Sequence, residues 1–206
     1  MLYMLMRGIR LAGVPILSLH TGGAIARVEQ AIIDPDSLKI IGFKVSGGAV
    51  NAETGNILGT KSIREVARMG LIIDSVDELY DLKDVARVQK IAELNFNLIG
   101  LKVETKKGRR LGKVRDFIVN TEDFMILQIV VERPLLKSLT ESELLIGRSQ
   151  IKEVSDSKIV VKDEEAKVRA ESGTKDFVPN FVNPFREGRY AMSRSRNLGE
   201  QDTEEA

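Results

Sequence analysis

The chain has 206 residues, 43% of them hydrophobic and 30% charged, which is typical of a globular protein. Lysine and arginine (31) nearly balance aspartate and glutamate (30), so the net charge of +1 predicts no bulk attraction to nucleic acid or membranes. The absence of cysteine excludes disulfides, thiolate catalysis and cysteine-ligated metal, and it fits a cytoplasmic location.

Residues 1–10 form an N-terminal segment that opens with six apolar residues followed by Arg7. Six apolar residues are too few for a membrane span or the core of a signal peptide. We therefore expect no integral membrane segment, and we interpret residues 1–6 as an added edge strand or a frayed start. Peripheral membrane attachment through these residues with Arg7 and Arg10 is a further alternative.

The sequence repeats itself with an offset of about 86 positions, which divides it into residues 11–78 and 97–163. Matching segments are 25–28 and 111–114, 38–45 and 124–131, and 63–66 and 151–154. Each copy contains five to six short runs of aliphatic and β-branched residues, bounded by Gly, Asp, Asn, Pro and Ser. We therefore predict a mainly β protein made of two small antiparallel β-barrels, because closing each sheet would remove its exposed edges.

Residues 79–96 between the copies predict a helical linker of about 12 residues, with Asp81 as its N-cap and Asp84 three positions later. Its apolar positions favour packing between the barrels, with binding of a partner as the alternative. Residues 164–206 are rich in charge, Ser, Asn and Gly, so we expect a flexible tail with an aromatic segment at 177–185.

The spacing of glycines, the short Val-containing strands and the Ile-(Arg/Lys)-Glu-Val element resemble the PRC-barrel family over roughly 11–74 and 98–163. The resemblance implies a six-stranded β-barrel in each copy and, as in the characterised members, docking onto another protein. One characterised member is a ribosome maturation factor. The family pattern contains no catalytic motif, so the resemblance transfers no active-site residue.

The search for chemical sites gives no catalytic, cofactor or metal site. His20, the single histidine, lies beside a Thr-Gly-Gly turn and is interpreted as an exposed turn residue. Residues 108–113 superficially resemble a phosphate loop, but three residues rather than four separate the glycines and Val114 follows the lysine. We therefore predict a hairpin turn there, and no enzymatic activity for the chain.

Three segments that occur once in the chain are candidate binding sites. The first is a basic turn, whose cations are candidate contacts to phosphate or to an acidic partner: Lys106, Lys107, Arg109, Arg110, Lys113 and Arg115. The other two are candidate partner-binding segments, an apolar loop at Pro134, Leu135 and Leu136 and the tail aromatics Phe177, Phe181 and Phe185. The apolar loop alternatively packs on its own protein, and so does the aromatic segment.

These features predict a non-enzymatic cytoplasmic adaptor or assembly protein that binds a protein partner through its two barrels. The alternative is an RNA- or ribosome-associated maturation factor that binds through the turn at 106–115. Attachment to a membrane surface is the third hypothesis, and the sequence leaves the oligomeric state open, a homo-oligomer included.

Overall fold

The computed structural model describes residues 5–51, 54–133 and 143–163, all of which belong to one compact unit spanning Met1–Arg169. The expected tail at 164–206 lies outside the described residues. The strands, in chain order, are β1 (Leu5–Arg7), β2 (Pro15–Ser18), β3 (Gly23–Asp34), β4 (Lys39–Ser46), β5 (Ile57–Gly59), β6 (Glu65–Ala67), β7 (Gly70–Ile73), β8 (Leu79–Tyr80), β9 (Lys102–Thr105), β10 (Arg110–Asn120), β11 (Ile126–Glu132), β12 (Glu143–Gly147), β13 (Ile151–Val154) and β14 (Lys158–Val161).

The prediction of a mainly β fold is confirmed, and the two repeats have the same strand order. The first sheet runs β6-β7-β2-β3-β4-β5-β8, and the second runs β13-β14-β9-β10-β11-β12 with β1 added beside β10. In both sheets the first and last strands of the repeat pair in parallel, β2 with β7 and β9 with β14, while the remaining pairs are antiparallel. Equivalent segments of the sequence therefore occupy equivalent places in two copies of one topology.

Closed barrels are not seen, because each sheet is open in the described part of the chain. In the second sheet the terminal strands β12 and β13 are consecutive in the chain, and a 3₁₀ turn at Arg148–Gln150 joins them and keeps these two ends near one another. In the first sheet the terminal strands are β6 and β8, because β8 pairs with β5, and a 3₁₀ turn at Thr60–Ser62 lies between β5 and β6. A tight 3₁₀ turn redirects the chain at the corner, and no ladder of hydrogen bonds forms across it.

A β-bulge interrupts the alternation of faces along β10. Simple alternation would place Phe117 on the same face as Lys113 and Arg115, with Val114 opposite. The register jumps between Val114 and Asp116, which leaves Arg115 as the extra residue. As a result Val114 and Phe117 are both buried, at 2% and 4% exposure, while Lys113 and Arg115 remain exposed.

The two repeats meet at their central hairpin turns. The backbone N–H of Ile40 donates to the carbonyl of Phe124 (2.9 Å), and the N–H of Ile126 donates to the carbonyl of Leu38 (3.0 Å). Leu38 and Phe124 occupy equivalent positions of the repeat, so exchanging the copies leaves this pairing unchanged. The interface is therefore two-fold symmetric in its pattern, and the buried side chains of both repeats form one continuous core.

The segment that precedes each repeat lies against the other repeat. β1 precedes the first repeat and pairs with β10 of the second, through Leu5 opposite Asn120 and Arg7 opposite Ile118. Helix α1 (Ala86–Glu93) precedes the second repeat and contacts β3 of the first. The edge-strand interpretation of the N-terminal segment is confirmed for Leu5–Arg7.

The linker contains less α-helix than the sequence predicts. Asp81 is an N-cap that forms a capping box with Asp84, as expected, but the capped segment is the 3₁₀ turn Leu82–Asp84. Val85 then adopts an extended conformation and α1 begins after it. Val85 is an exposed β-branched residue, and its slightly lower helix propensity favours a break at this position.

Candidate functional site

The basic turn connects β9 to β10, and several hydrogen bonds fix its backbone. The N–H of Gly108 donates to the carbonyl of Thr105 (2.8 Å), and the N–H of Thr105 donates to the carbonyl of Arg109 (2.9 Å). The N–H of Lys107 donates to Oδ1 of Asp163 (3.1 Å), and this bond links the turn to the segment that follows β14. Gly108 has a φ of +81°, a value that favours glycine. The predicted hairpin turn is confirmed.

The six cations of this hairpin are all exposed: Lys106, Lys107, Arg109, Arg110, Lys113 and Arg115. Arg115 forms an ion pair with Glu143 (3.4 Å). The other five make no ion pair with any residue that the structure describes. The turn therefore presents five exposed cations that form no direct ion pair with a described carboxylate.

Cross-strand pairing extends the positive charge beyond the turn. Lys102 of β9 lies opposite Lys113 of β10 on one side and opposite Lys158 of β14 on the other. Residues directly opposite one another share a face of the sheet, so these three lysines form a row on its outer surface. The row continues with Glu132 and Glu143, opposite one another on β11 and β12. One end of this outer face is therefore cationic and the other end acidic.

Lys158 is the lysine of the row whose charge is partly compensated. Its Nζ forms a hydrogen-bonded ion pair with Glu104, and the pKa of Lys158 is raised by this hydrogen bond and by the attraction of the carboxylate. Lys158 therefore stays charged throughout the physiological pH range. Glu104 is also the residue opposite Arg110, so it is a carboxylate built into the β9 side of the cationic surface.

The first repeat lacks this surface. The corresponding turn contains His20, which is exposed as predicted, together with Thr21 and Gly22. Pro15 of β2 lies opposite Arg27 of β3, where the second repeat has Lys102 opposite Lys113. The basic hairpin is therefore a property of the second repeat alone, as the sequence predicts.

The sequence identified the turn but missed Lys102 and Lys158. Lys102 lies on β9, before the turn, and Lys158 is more than 40 residues further along the chain. Only the pairing of β9 with both neighbours brings them beside Lys113. The parallel pairing of β9 with β14 carries no signal in local periodicity, which is why sequence patterns do not reveal it.

The other candidate binding residues lie outside the described residues. These are the loop residues Pro134, Leu135 and Leu136 and the tail residues Phe177, Phe181 and Phe185. In the part of the chain that is described, no three acidic or histidine side chains are grouped in a way that would hold a metal ion. No helix in that described part has the length and apolar character needed to cross a membrane.

A comparison with protein-family models matches one segment of the chain. Residues 93–168 match the family model of the PRC-barrel domain, a segment that begins at the end of α1 and includes all strands from β9 to β14. No curated protein matches the chain. The basic hairpin lies inside residues 93–168, the segment that matches the family model.

Proposed function

We propose that this chain, whose residues 93–168 belong to the PRC-barrel domain family, is a non-enzymatic adaptor that binds an acidic protein partner through the basic hairpin of its second repeat. The observation that carries the proposal is the set of exposed cations on one hairpin, five of them without an ion pair among the described residues. Hydrogen bonds hold the turn in place, so binding would require little ordering of the backbone.

Charge of this kind contributes mainly to recognition and to the rate of association. A single exposed ion pair contributes only about 0.2–1 kcal/mol. Several cations on a fixed hairpin act together, because their potentials add and attract an acidic surface before contact. An acidic protein surface also complements the row formed by Lys102, Lys113 and Lys158.

Association with RNA or the ribosome is the alternative function, and the same cations favour it. No aromatic residue occurs between residues 102 and 116, so bases would have no side chain on which to stack. RNA would be held through its phosphates alone, with little sequence preference. We therefore place a protein partner first and RNA second.

We propose further that the first repeat is a second PRC-type module and that both repeats are curled β-barrels of that family. The common strand order and the equivalent parallel pairs support this proposal. A tandem arrangement would present two related surfaces of different charge, one of which carries the basic hairpin. We also propose a cytoplasmic location, on the cysteine-free composition.

The test compares the full-length protein with its double variant Arg109→Glu/Arg110→Glu in capture experiments from RNase-treated lysate. Lys61→Glu/Lys90→Glu is the matched control, since both lysines are exposed and make no ion pair with a described residue. We expect the hairpin variant to lose acidic protein partners that the control variant retains.

A second measurement separates the two functions. If RNA is the ligand, a labelled single-stranded RNA will bind with an affinity that falls steeply between about 50 and 200 mM salt, and the hairpin variant will lose that binding. Partners that disappear after RNase treatment would support the RNA function. Partners retained equally by wild type and hairpin variant would refute the proposed role of the hairpin.

A further inference from the structure

A cleft of about 500 Å³ lies between the N-terminal segment and the β6–β7 hairpin of the first repeat. Nine of its described lining residues are nonpolar, among them Leu5, Met6, Val14 and Val66. The remaining three are Arg7, Arg10 and Arg68. No aspartate or glutamate is among the described residues that line the cleft, so the charge of this lining is positive and its remaining surface is apolar.

The three arginines differ in how far their charges are compensated. Arg7 reaches two carboxylates of the second repeat, Asp116 at 3.9 Å and Glu143 at 3.5 Å. Arg10 and Arg68 are exposed and form no ion pair within the described ranges. The cleft therefore combines apolar surface with two uncompensated guanidinium groups, which is suited to a ligand that is both apolar and anionic.

Both walls of the cleft are fixed in place. One wall is β1, which is paired with β10 and linked to Asp116 by the hydrogen bond that the N–H of Ile9 donates (3.0 Å). The other wall is the β6–β7 hairpin, where a Cβ on Gly70 would lie 2.3 Å from the carbonyl oxygen of Pro15. Because only glycine permits this approach, the hairpin packs tightly against the start of β2. The site is thus formed before any ligand binds.

The elements that form the walls also suggest the form of the ligand. β6 is the terminal strand of its sheet, and β1 pairs with β10 alone, so each has an unpaired edge in the described structure. Such edges accept extended peptides by main-chain pairing. Two apolar side chains are also exposed here. Leu5, which lines the cleft, is 58% exposed, and Met69, which follows Arg68 in the chain, is 68% exposed.

We propose that this cleft binds an extended peptide segment of a partner protein in which apolar side chains alternate with carboxylates. The apolar side chains occupy the floor, and the carboxylates pair with Arg10 and Arg68. A concave site whose apolar lining is half-buried, as at Met6, Val14 and Val66, fits a peptide better than a membrane surface, which contacts protruding residues. The proposal goes beyond the function of the basic hairpin, since the two surfaces share no residue.

The test uses full-length protein and a short fluorescein-labelled peptide of alternating leucine and glutamate, with an alternating leucine–glutamine peptide as the neutral control. Fluorescence anisotropy gives the Kd for wild type, Arg10→Glu/Arg68→Glu, the hairpin variant Arg109→Glu/Arg110→Glu and the control Lys61→Glu/Lys90→Glu. All of these positions are exposed, so far-UV circular dichroism is expected to show the same fold in each variant.

We expect the cleft variant to bind the acidic peptide about tenfold more weakly or worse, and the other two variants to bind it as wild type does. No binding of the acidic peptide, or equal binding of the neutral peptide, would overturn the proposal. Loss in the hairpin variant with retention in the cleft variant would also overturn it, while supporting the basic hairpin as the site for acidic partners. Binding of phosphatidylglycerol vesicles, lost in the cleft variant and unaccompanied by peptide binding, would assign the cleft to a membrane instead.

Discussion

Phe124 combines a buried aromatic ring with a backbone conformation that favours glycine, and substitutions there give a sharp test of the fold. Its side chain is 4% exposed and packs edge-to-face on Phe43, with ring centroids 5.8 Å apart and an interplanar angle of 72°. Its φ is +58°, in the left-handed region that side chains with a Cβ disfavour. Leu38, at the equivalent position of the first repeat, has a φ of +46° and is 3% exposed.

These two properties predict an inverted order of stability between Phe124→Ala and Phe124→Gly. Loss of the ring lowers the free energy of unfolding by about 3–5 kcal/mol in either variant. Alanine retains the left-handed penalty of about 1–2 kcal/mol, which glycine removes. Glycine in turn loses about 0.5–1 kcal/mol relative to alanine through the entropy of the unfolded chain. The glycine variant is therefore expected to be more stable than the alanine variant by up to about 1.5 kcal/mol.

Urea denaturation followed by far-UV circular dichroism measures this difference as a shift in midpoint at constant slope. Ile126, buried in β11 with an ordinary negative φ, provides the matched pair, and there the glycine variant should be the less stable one. The same inversion is expected at Leu38. If Phe124→Gly proves less stable than Phe124→Ala, Phe124 does not have a left-handed backbone conformation at the interface between the two repeats.

Three further outcomes follow from the structure. Gly112→Ala places a Cβ 2.0 Å from the carbonyl oxygen of Glu132, so a loss of more than about 2 kcal/mol in the free energy of unfolding is expected by urea titration; a neutral effect would contradict the β9–β10–β11 register. Gly8→Ala brings a methyl group within 2.4 Å of the Phe117 ring and should release β1 from β10. Hydrogen exchange should then become faster in β10 but not in β9. Burial raises the pKa of Tyr80, so the folded state favours the neutral phenol. The contribution of Tyr80 to the free energy of unfolding is complete below about pH 10 and is lost as the pH rises through the folded pKa. Tyr80→Phe should remove this alkaline dependence, and an unchanged pH profile would contradict the burial of the phenol.

Local patterns were sufficient to predict the repeat, the hairpins and the basic turn. Each of these depends on residues close in sequence: glycine at a turn, alternating aliphatic residues in strands, and a capping residue such as Asp81. The turn at Gly108 is a clear case, because the residues that hydrogen-bond across it are four positions apart or fewer.

Non-local pairing explains what the sequence could not predict. β1 pairs with a strand more than 110 residues away, and the parallel pairing of β9 with β14 joins residues about 56 positions apart. The bulge at Arg115 breaks the two-residue periodicity of β10, because one extra residue places Phe117 on the same buried face as Val114. Lys102, Lys158 and the arginine-lined cleft all depend on such pairings.

The two-fold pattern at the centre of the protein explains why the candidate binding surfaces lie elsewhere. Leu38 and Phe124 serve the same interface, so a change that harms packing in one copy also weakens the other. Exposed positions carry no such constraint, since surface substitutions usually change the free energy of unfolding by about 0.5 kcal/mol or less. Divergence is therefore tolerated at the β9–β10 turn, which is basic in one copy only.

The cleft differs between the copies for a separate reason. β1 forms one of its walls, whereas the segment that precedes the second repeat is a helix, α1, which contacts β3 through side chains and offers no strand edge. The first repeat thus has a cleft whose lining includes residues of β1 and β6, and the second has an exposed cationic hairpin. A partner that carries an acidic surface and an acidic–apolar extended segment would engage both repeats at once, and the linkage of the two weak contacts would raise its affinity beyond either alone.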